Sequence, residues 1–338
     1  MDFIHTIGIR FIHWMQTSNY LEPFFTGISH IGSPSTAYSL TFPSAYYINP
    51  TLGLITVLCT ASSDWLNGII KWILHGHRPY WWVKLNGLSQ DPGFSLNQYP
   101  LTCETGPGSP SGHCMITVAS LTPMIAHFYY KFRNPNQQQC LLWLSYLGFG
   151  LLGLSRCYLA AHFPHQVVTG IISGLMIGLL FHSVSESITS SSEENTNWLH
   201  RQIAHFLSYP NELLWLGFSS FICAYLFSLF LEYGMKLDPN WSINLAQSAC
   251  ARSEWIHLST SPMMGFSRIA GTTTGLSLGL RFRPMDSQQS VLGTNSAQII
   301  FFSLVIVLLT TKFMESLCNS IINLFTTYIL DDLPVILM

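Results

Sequence analysis

Runs of mainly apolar residues, each close to the roughly 20 that a helix needs to cross a bilayer, recur along nearly all of this chain. They lie at about 24–48, 52–74, 114–130, 140–161, 164–183, 207–231, 255–280 and 298–317, with a weaker run over 318–338. In hydrocarbon every backbone N–H and C=O must find a partner inside its own segment, so runs of this length fold as helices. Charged residues make up 9% of the chain and hydrophobic residues 49%, where a soluble domain carries about 25% charged residues. The expectation is an all-α fold: a polytopic transmembrane helical bundle of about nine spans, in one domain over residues 1–338. No long repeat and no Pro/Gly-rich linker divides it.

The net charge of −2 excludes a nucleic-acid partner, because a polyanion binder needs an excess of Lys and Arg. The partner that the composition demands is the lipid bilayer. Residues Met1 to Trp14 lack the basic-then-apolar pattern of a cleaved signal peptide. Their apolar members Phe3, Ile4, Ile7, Phe11 and Trp14 fall near helical spacing and suggest a short interfacial helix. Of the eight cysteines none forms a C-x-x-C pair or a zinc spacing. Most lie in apolar runs; Cys103 and Cys250 are the exceptions, each in a polar loop, and a disulfide between them is one pairing the sequence permits. Ser183–Asn197 is a short hydrophilic loop.

Against this apolar background three charged clusters stand out: Lys71-x₆-Arg78-Pro79, then Pro110-Ser111-Gly112-His113, then Ser155-Arg156-x₅-His162. The first follows the second apolar run, the next precedes the third, and the last joins the fourth to the fifth. If every run spans, an even number of crossings separates the clusters and all three emerge on one face. Lys131 and Arg133, and later Arg281 and Arg283, fall on the other face, which the positive-inside rule makes cytosolic. The clusters then face a lumen or the exterior.

Each cluster has a plain reading of its own. Lys71 and Arg78 can be a snorkelling interfacial pair. The Gly106–His113 run can be a simple connector. Arg156 can be a C-terminal residue favoured by the helix dipole. Taken together they supply three fixed cations suited to a phosphate dianion and two imidazoles able to divide the work of nucleophile and acid. The seven-residue spacing of Lys71 and Arg78 would put both on one face of a helix continuing to Pro79. The small Ser111 and Gly112 would let phosphate oxygens approach the free backbone N–H groups of a helix N-terminus. His113 sits in that first turn, and a neutral His162 can attack phosphorus. His165 reads as a structural neighbour, and His75, His77, His127 and His182 as interfacial or core residues. The Trp81-Trp82 pair can stack on a sugar ring, although aromatic residues at a membrane boundary are commonly just the interfacial belt.

With these residues the chain resembles the glucose-6-phosphatase catalytic-subunit family, within the acid phosphatase, lipid-phosphate phosphatase and vanadium haloperoxidase superfamily. The superfamily pattern is K-x₆-RP, PSGH and SR-x₅-H-x₃-D; this chain departs from it only at Gln166, and its His162-Phe163-Pro164-His165-Gln166 is similar to that family's form. Asp64-Trp65-Leu66-Asn67, Arg78–Val83, Cys103–His113, Glu254–His257 and Gly271–Leu280 extend the likeness to about residue 280. Ala45-Tyr46-Tyr47, His113–Thr117 and Trp241-Ser242-Ile243 look like the widely expressed catalytic subunit 3 branch.

The resemblance implies a phosphatidic-acid-phosphatase type 2-like core at about 52–183, with additional helices over 207–338. It implies a multi-pass endoplasmic reticulum enzyme, a phosphoric monoester hydrolase of glucose metabolism and gluconeogenesis, that hydrolyses glucose-6-phosphate on the luminal side. By that analogy His162 is the nucleophile, forming a phosphohistidine, and His113 is the general acid/base. Lys71, Arg78, Ser111, Gly112 and Arg156 bind the substrate phosphate, with no metal and no cofactor. A separate glucose-6-phosphate transporter would be a functional partner. Alternatives are another hexose phosphate such as 1,5-anhydroglucitol-6-phosphate, a lipid-phosphate phosphatase, or a non-hydrolytic sugar-phosphate transporter. The last is disfavoured because no internal repeat is present and the charges sit at span ends.

Overall fold

The computed structural model describes residues 2–189 and 209–281, with isolated positions at 198, 201–203, 205, 305 and 309. Among the described residues the elements are helices, and the only β pairing is an isolated bridge between Glu104 and His257. The helices are α1 (Asp2–Met15), α2 (Glu22–Ile31), α3 (Phe42–Ile48), α4 (Pro50–Leu74), α5 (Pro79–Leu85) and α6 (Gly112–Lys131). They continue as α7 (Pro135–Tyr158), α8 (Pro164–Thr189), α9 (Pro210–Leu229), α10 (Trp241–Ala249) and α11 (Pro262–Arg281).

Proline sets many of the starts. It lacks the N–H that the first helical position would leave unpaired anyway, so it is tolerated there. Asn49 and Asn134 complete the caps of α4 and α7, their side chains accepting from Thr51 N at 2.8 Å and Asn136 N at 2.9 Å. Among the described residues four helical stretches are long and apolar enough to cross a membrane: Pro50–Leu85, Pro135–Tyr158, Pro164–Ser185 and Pro210–Gly234. The expected spans at 298–317 and 318–338 lie outside the described residues, apart from positions 305 and 309.

Two expected spans differ from the observed helices. The run 24–48 is not one helix: α2 ends at Gly32, and Ser33 is extended (φ −79°, ψ 151°), its side chain accepting from Thr36 N at 3.2 Å. Pro34 forces this, since it drives the preceding residue out of the helical region. The chain resumes through turns at Pro34–Thr36 and Ala37–Thr41 into α3. The run 255–280 begins late, at Pro262, because Ser253–Trp255 and Leu258–Thr260 form separate tight turns. The expected N-terminal helix is present as α1, buried through His5, Ile9 and Ile12 and exposed at Phe3, Ile7 and Trp14.

α6 and α8 pack closely against each other. Gly170, Gly174 and Gly178 lie one above another on α8. A Cβ added to them would stand 2.8 Å from Ser111 O, 2.5 Å from Met115 O and 2.4 Å from Thr122 Cβ. Small residues at this spacing let two membrane helices meet backbone to backbone. The contact fixes the N-terminal turn of α6 against the start of α8, where the charged clusters lie.

Candidate active site

The charged clusters converge on the N-terminus of α6. Lys71 comes from the last turn of α4, Arg156 from the last turn of α7 and His113 from the first turn of α6. Arg78 precedes α5 with an extended backbone (φ −101°, ψ 156°). Lys71 and Arg78 therefore do not share a helix. α4 stops at Leu74, His75 turns left-handed (φ 47°), and Pro79 opens a new helix instead of ending the old one. His162 lies in the link between α7 and α8. There Ala160 is left-handed (φ 51°), and the N–H groups of Ala161 and His162 reach Arg156 O at 3.1 and 3.2 Å.

His162 is held in one tautomer. Its Nδ1 lies 2.8 Å from Gly108 O; a carbonyl only accepts, so Nδ1 carries the proton and Nε2 is the ring's acceptor, its lone pair turned to Arg78 Nη1. Nε2 is 3.2 Å from Arg78 Nη1. Burial, reinforced by Arg78, lowers the His162 pKa to about 3, so the ring is neutral at physiological pH. Gln166, at the position where the superfamily pattern has Asp, spends its side chain elsewhere: Nε2 donates to His77 O at 2.6 Å and Oε1 accepts from Phe163 N at 3.1 Å.

The centre of the cluster is a residue the motif reading missed. Glu104 accepts from Arg78 Nη1 at 2.7 Å through Oε2 and from Arg156 Nη2 at 2.5 Å through Oε1. Its Oε1 is 3.4 Å from His113 Nδ1 and its Oε2 is 3.5 Å from His162 Nε2. Burial by itself would raise the pKa of this carboxyl, but the Arg156 and Arg78 guanidiniums override that and hold it well below the usual carboxylate range. A signal was available: Glu104 is the only Asp or Glu between Asp91 and Glu186, and two buried arginines need a counter-ion.

Arg78 further donates through Nε to Gly106 O at 2.6 Å and through Nη1 to Ala161 O at 3.0 Å. Arg156 also donates to Ser29 Oγ. Lys71 makes no ion pair among the described residues. A Cβ on Gly112 would stand 3.5 Å from the Lys71 Nζ and 3.0 Å from Asn67 Oδ1, so the glycine keeps the space above the lysine open. Ser111 requires a correction. Its backbone N–H is already committed to Gln166 O at 3.0 Å, so what it can offer a ligand is its hydroxyl, which is buried with no partner.

A cavity of about 830 Å³ opens beside the cluster, with Lys71, Glu104, Gly112 and His113 at its inner end. Its walls come from Ser29–Ser39, from Asp64 and from His257–Arg268, and they are rich in hydroxyl groups. In the wall Arg268 binds Asp64 through two bonds of 2.8 and 3.1 Å, and Tyr38 donates to the same carboxylate at 3.2 Å. Trp81 and Trp82 do not reach this cavity. They are buried with Cys103 and Phe163 in the core, and Trp81 Nε1 donates to His77 Nδ1 at 3.2 Å, because α5 turns its aromatic face inward. His165 packs against Phe163 and His5. Cys103 and Cys250 are joined by a disulfide. Among the described residues no group of three or more His, Cys, Asp or Glu is placed to hold a metal ion.

The family model of the PAP2 superfamily matches residues 52–189, a stretch that contains every candidate residue of the three clusters. Glucose-6-phosphatase 3 of Mus musculus is 37% identical over 264 residues, covering 77% of this chain and 70% of the relative. Glucose-6-phosphatase 3 of Homo sapiens is 36% identical over 265 residues, 77% and 71% of the two chains. Glucose-6-phosphatase catalytic subunit 1 of Rattus norvegicus is 36% identical over 291 residues, 83% and 76%. No solved structure matches the chain significantly. Sequence likeness of this extent, over a chain whose two arginines, lysine and paired histidines meet around one anion site, places the protein in the glucose-6-phosphatase family.

Proposed function

We propose that the protein hydrolyses glucose-6-phosphate to glucose and inorganic phosphate at the luminal face of the endoplasmic reticulum membrane. The observation that carries this reading is His162. Its Nδ1 proton is fixed on Gly108 O and its neutral Nε2 faces an anion held by Arg78 and Arg156. Lys71, Arg78 and Arg156 bind the phosphoryl oxygens, joined by the Ser111 hydroxyl and the amides of the first turn at Gly112. Nε2 attacks phosphorus, the bond to the sugar oxygen breaks, and His113 gives that oxygen its proton. Water, losing a proton to His113, then attacks the phosphohistidine and releases phosphate. The fixed cations stabilise the charge that builds up on the transferring group.

A hydroxyl-rich wall suits a polyol leaving group better than an acyl chain, which favours a sugar phosphate over a lipid phosphate. The disulfide Cys103–Cys250 lies on the face of the site, and such bonds persist in oxidising compartments, in keeping with a luminal orientation. A glucose-6-phosphate transporter in the same membrane would supply the substrate.

Phosphate release by the detergent-solubilised protein from a panel of sugar and lipid phosphates tests the substrate. Glucose-6-phosphate is expected among the best, and a preference for lipid phosphates would overturn the reading. For orientation, a glycosylation sequon inserted in the 132–134 link between α6 and α7 should stay unmodified; a glycan there would invert the topology.

A further inference from the structure

Arg78, Arg156 and His162 have no exposed surface and do not line the cavity, whereas Glu104 and His113 do. One carboxylate thus stands between the cavity and the nucleophile. It bridges both arginines, and its Oε2 is 3.5 Å from His162 Nε2. For attack, phosphorus itself must come to within roughly 3–3.5 Å of that nitrogen, so carboxylate and phosphoryl group compete for one place.

The backbone at Glu104 is pinned. Its carbonyl accepts from Tyr80 Oη at 3.0 Å, its N–H bonds Thr102 O at 2.9 Å, it bridges to His257, and the neighbouring Cys103 is tied to Cys250. What can move is the side chain, and the cavity gives it room. Oε1 already lies 3.4 Å from His113 Nδ1, so a rotation that releases the arginines can keep the histidine as a partner.

We propose that Glu104 is an internal anion that fills the phosphoryl pocket of the resting enzyme, is displaced by the incoming phosphate dianion, and then pairs with His113 Nδ1 to aim that ring at the leaving oxygen. The proposal deepens the phosphatase reading and rests on His162 as nucleophile. It makes Glu104 a positioning residue with two duties. Before binding it holds two buried guanidiniums in place that would otherwise lack a counter-ion. After binding it orients the acid, as carboxylates commonly orient an imidazole. The observed affinity for phosphate is then a net value, lowered by the exchange. A weakly charged oxyanion cannot displace a carboxylate already bound to both arginines, so the exchange selects dianions.

The test uses the full-length protein in detergent, with inorganic phosphate as the probe and calorimetric binding and thermal unfolding as readouts. Glu104→Gln removes the competing charge, and it should bind phosphate at least about tenfold more tightly than the wild type. Its melting temperature should fall without ligand and return to the wild-type liganded value at saturating phosphate, because the ligand replaces the missing anion. With a sugar phosphate its KM should fall together with kcat, since a neutral amide holds an imidazolium poorly. Glu104→Asp keeps the charge but is one methylene short of spanning both arginines, so it should also tighten phosphate binding, by less; it decides the matter if the glutamine variant does not fold. Unchanged or weaker phosphate binding, or a stability deficit that phosphate does not repair, would mean a permanent scaffold and would overturn the proposal. The binding readout needs no turnover: tightened phosphate binding in a protein inactive on sugar phosphates would sink the substrate assignment and leave this exchange standing.

Discussion

At the inner end of the cavity Arg78, Arg156 and His162 are fully buried and commit most of their polar groups to partners, among them Glu104, Gly106 O, Ala161 O and Gly108 O, while Arg156 Nε has none. At the outer end the wall is a set of short hydroxyl side chains around the Asp64–Arg268 pair, and the Arg268 side chain is 30% exposed. One end is buried and densely charged; the other is more exposed and offers many weak hydrogen-bonding groups. Preorganised charge in a water-poor site is where transition-state stabilisation is gained. Adaptable hydroxyls contribute to ground-state binding and to the choice among alcohols. Substitutions at the inner end should therefore act on kcat, and those at the outer end on KM and substrate preference.

The sharpest test of that division is His162→Ala, which removes the proposed nucleophile from both half-reactions. Turnover should fall by at least about 10⁴-fold, with no acid-quenched phosphoprotein. Labelled phosphate still trapped on this variant would move the nucleophile elsewhere. Next in size is His113→Asn. Loss of the acid should cost a sugar phosphate about 10²–10⁴-fold and p-nitrophenyl phosphate far less, because its leaving group needs no proton. Equal losses on the two substrates would take the acid role away from His113.

A smaller effect is expected from pH. With its pKa lowered to about 3 by burial and Arg78, His162 gains no proton as pH falls from 7 to 5 and should contribute no acid limb there. A limb near the second ionisation of the substrate phosphate, about pH 6, should shift when a substrate of different acidity is used. A limb fixed near 6.5 for every substrate would show an ordinary, hydrated imidazole and would break the contrast between the two ends. Smallest of all, Arg268→Gln loosens the outer wall. KM for glucose-6-phosphate should rise a few-fold, about 1 kcal/mol for one partly exposed pair, with kcat on p-nitrophenyl phosphate unchanged. A kcat loss as large as that of His113→Asn would show that the outer end takes part in the chemistry.

Much of this arrangement was legible in the sequence because each candidate catalytic group is tied to a strong local signal. Pro164 marks a helix start and the Gly106–Gly112 run a turn into α6, whereas Pro79, expected to end a helix, opens one. Convergence of the clusters agrees with the count of crossings expected if every apolar run spans. What pattern alone did not reveal depends on distant parts of the chain. Glu104 is meaningful only once Arg78 and Arg156 lie beside it. Asp64 becomes a wall residue only when Arg268, 204 positions away, packs against it. The break at Ser33-Pro34 rests on a dipeptide effect inside a run whose hydropathy reads as continuous. The inward turn of Trp81 and Trp82 reflects tertiary packing against Phe163 and Trp241, which a belt-like composition does not distinguish from a lipid-facing position. The glycine spacing of 170, 174 and 178 is a readable sign of a close-packed face on α8, but that α6 lies against it is seen only in the structure.

The strap between Cys103 and Cys250 bears on how separable the parts of this molecule are. It joins the residue beside Glu104 to a segment with no motif of its own, and next to it Glu104 bridges to His257 and Thr105 N bonds Thr260 Oγ1 at 2.9 Å. A fragment ending after α8 would keep both histidines, the lysine and both arginines, and still lose everything that anchors this loop from the far side. The motif-bearing segment is thus not a transplantable cassette: grafted alone onto another membrane scaffold, it would carry the reacting groups without the frame that holds their counter-ion in register.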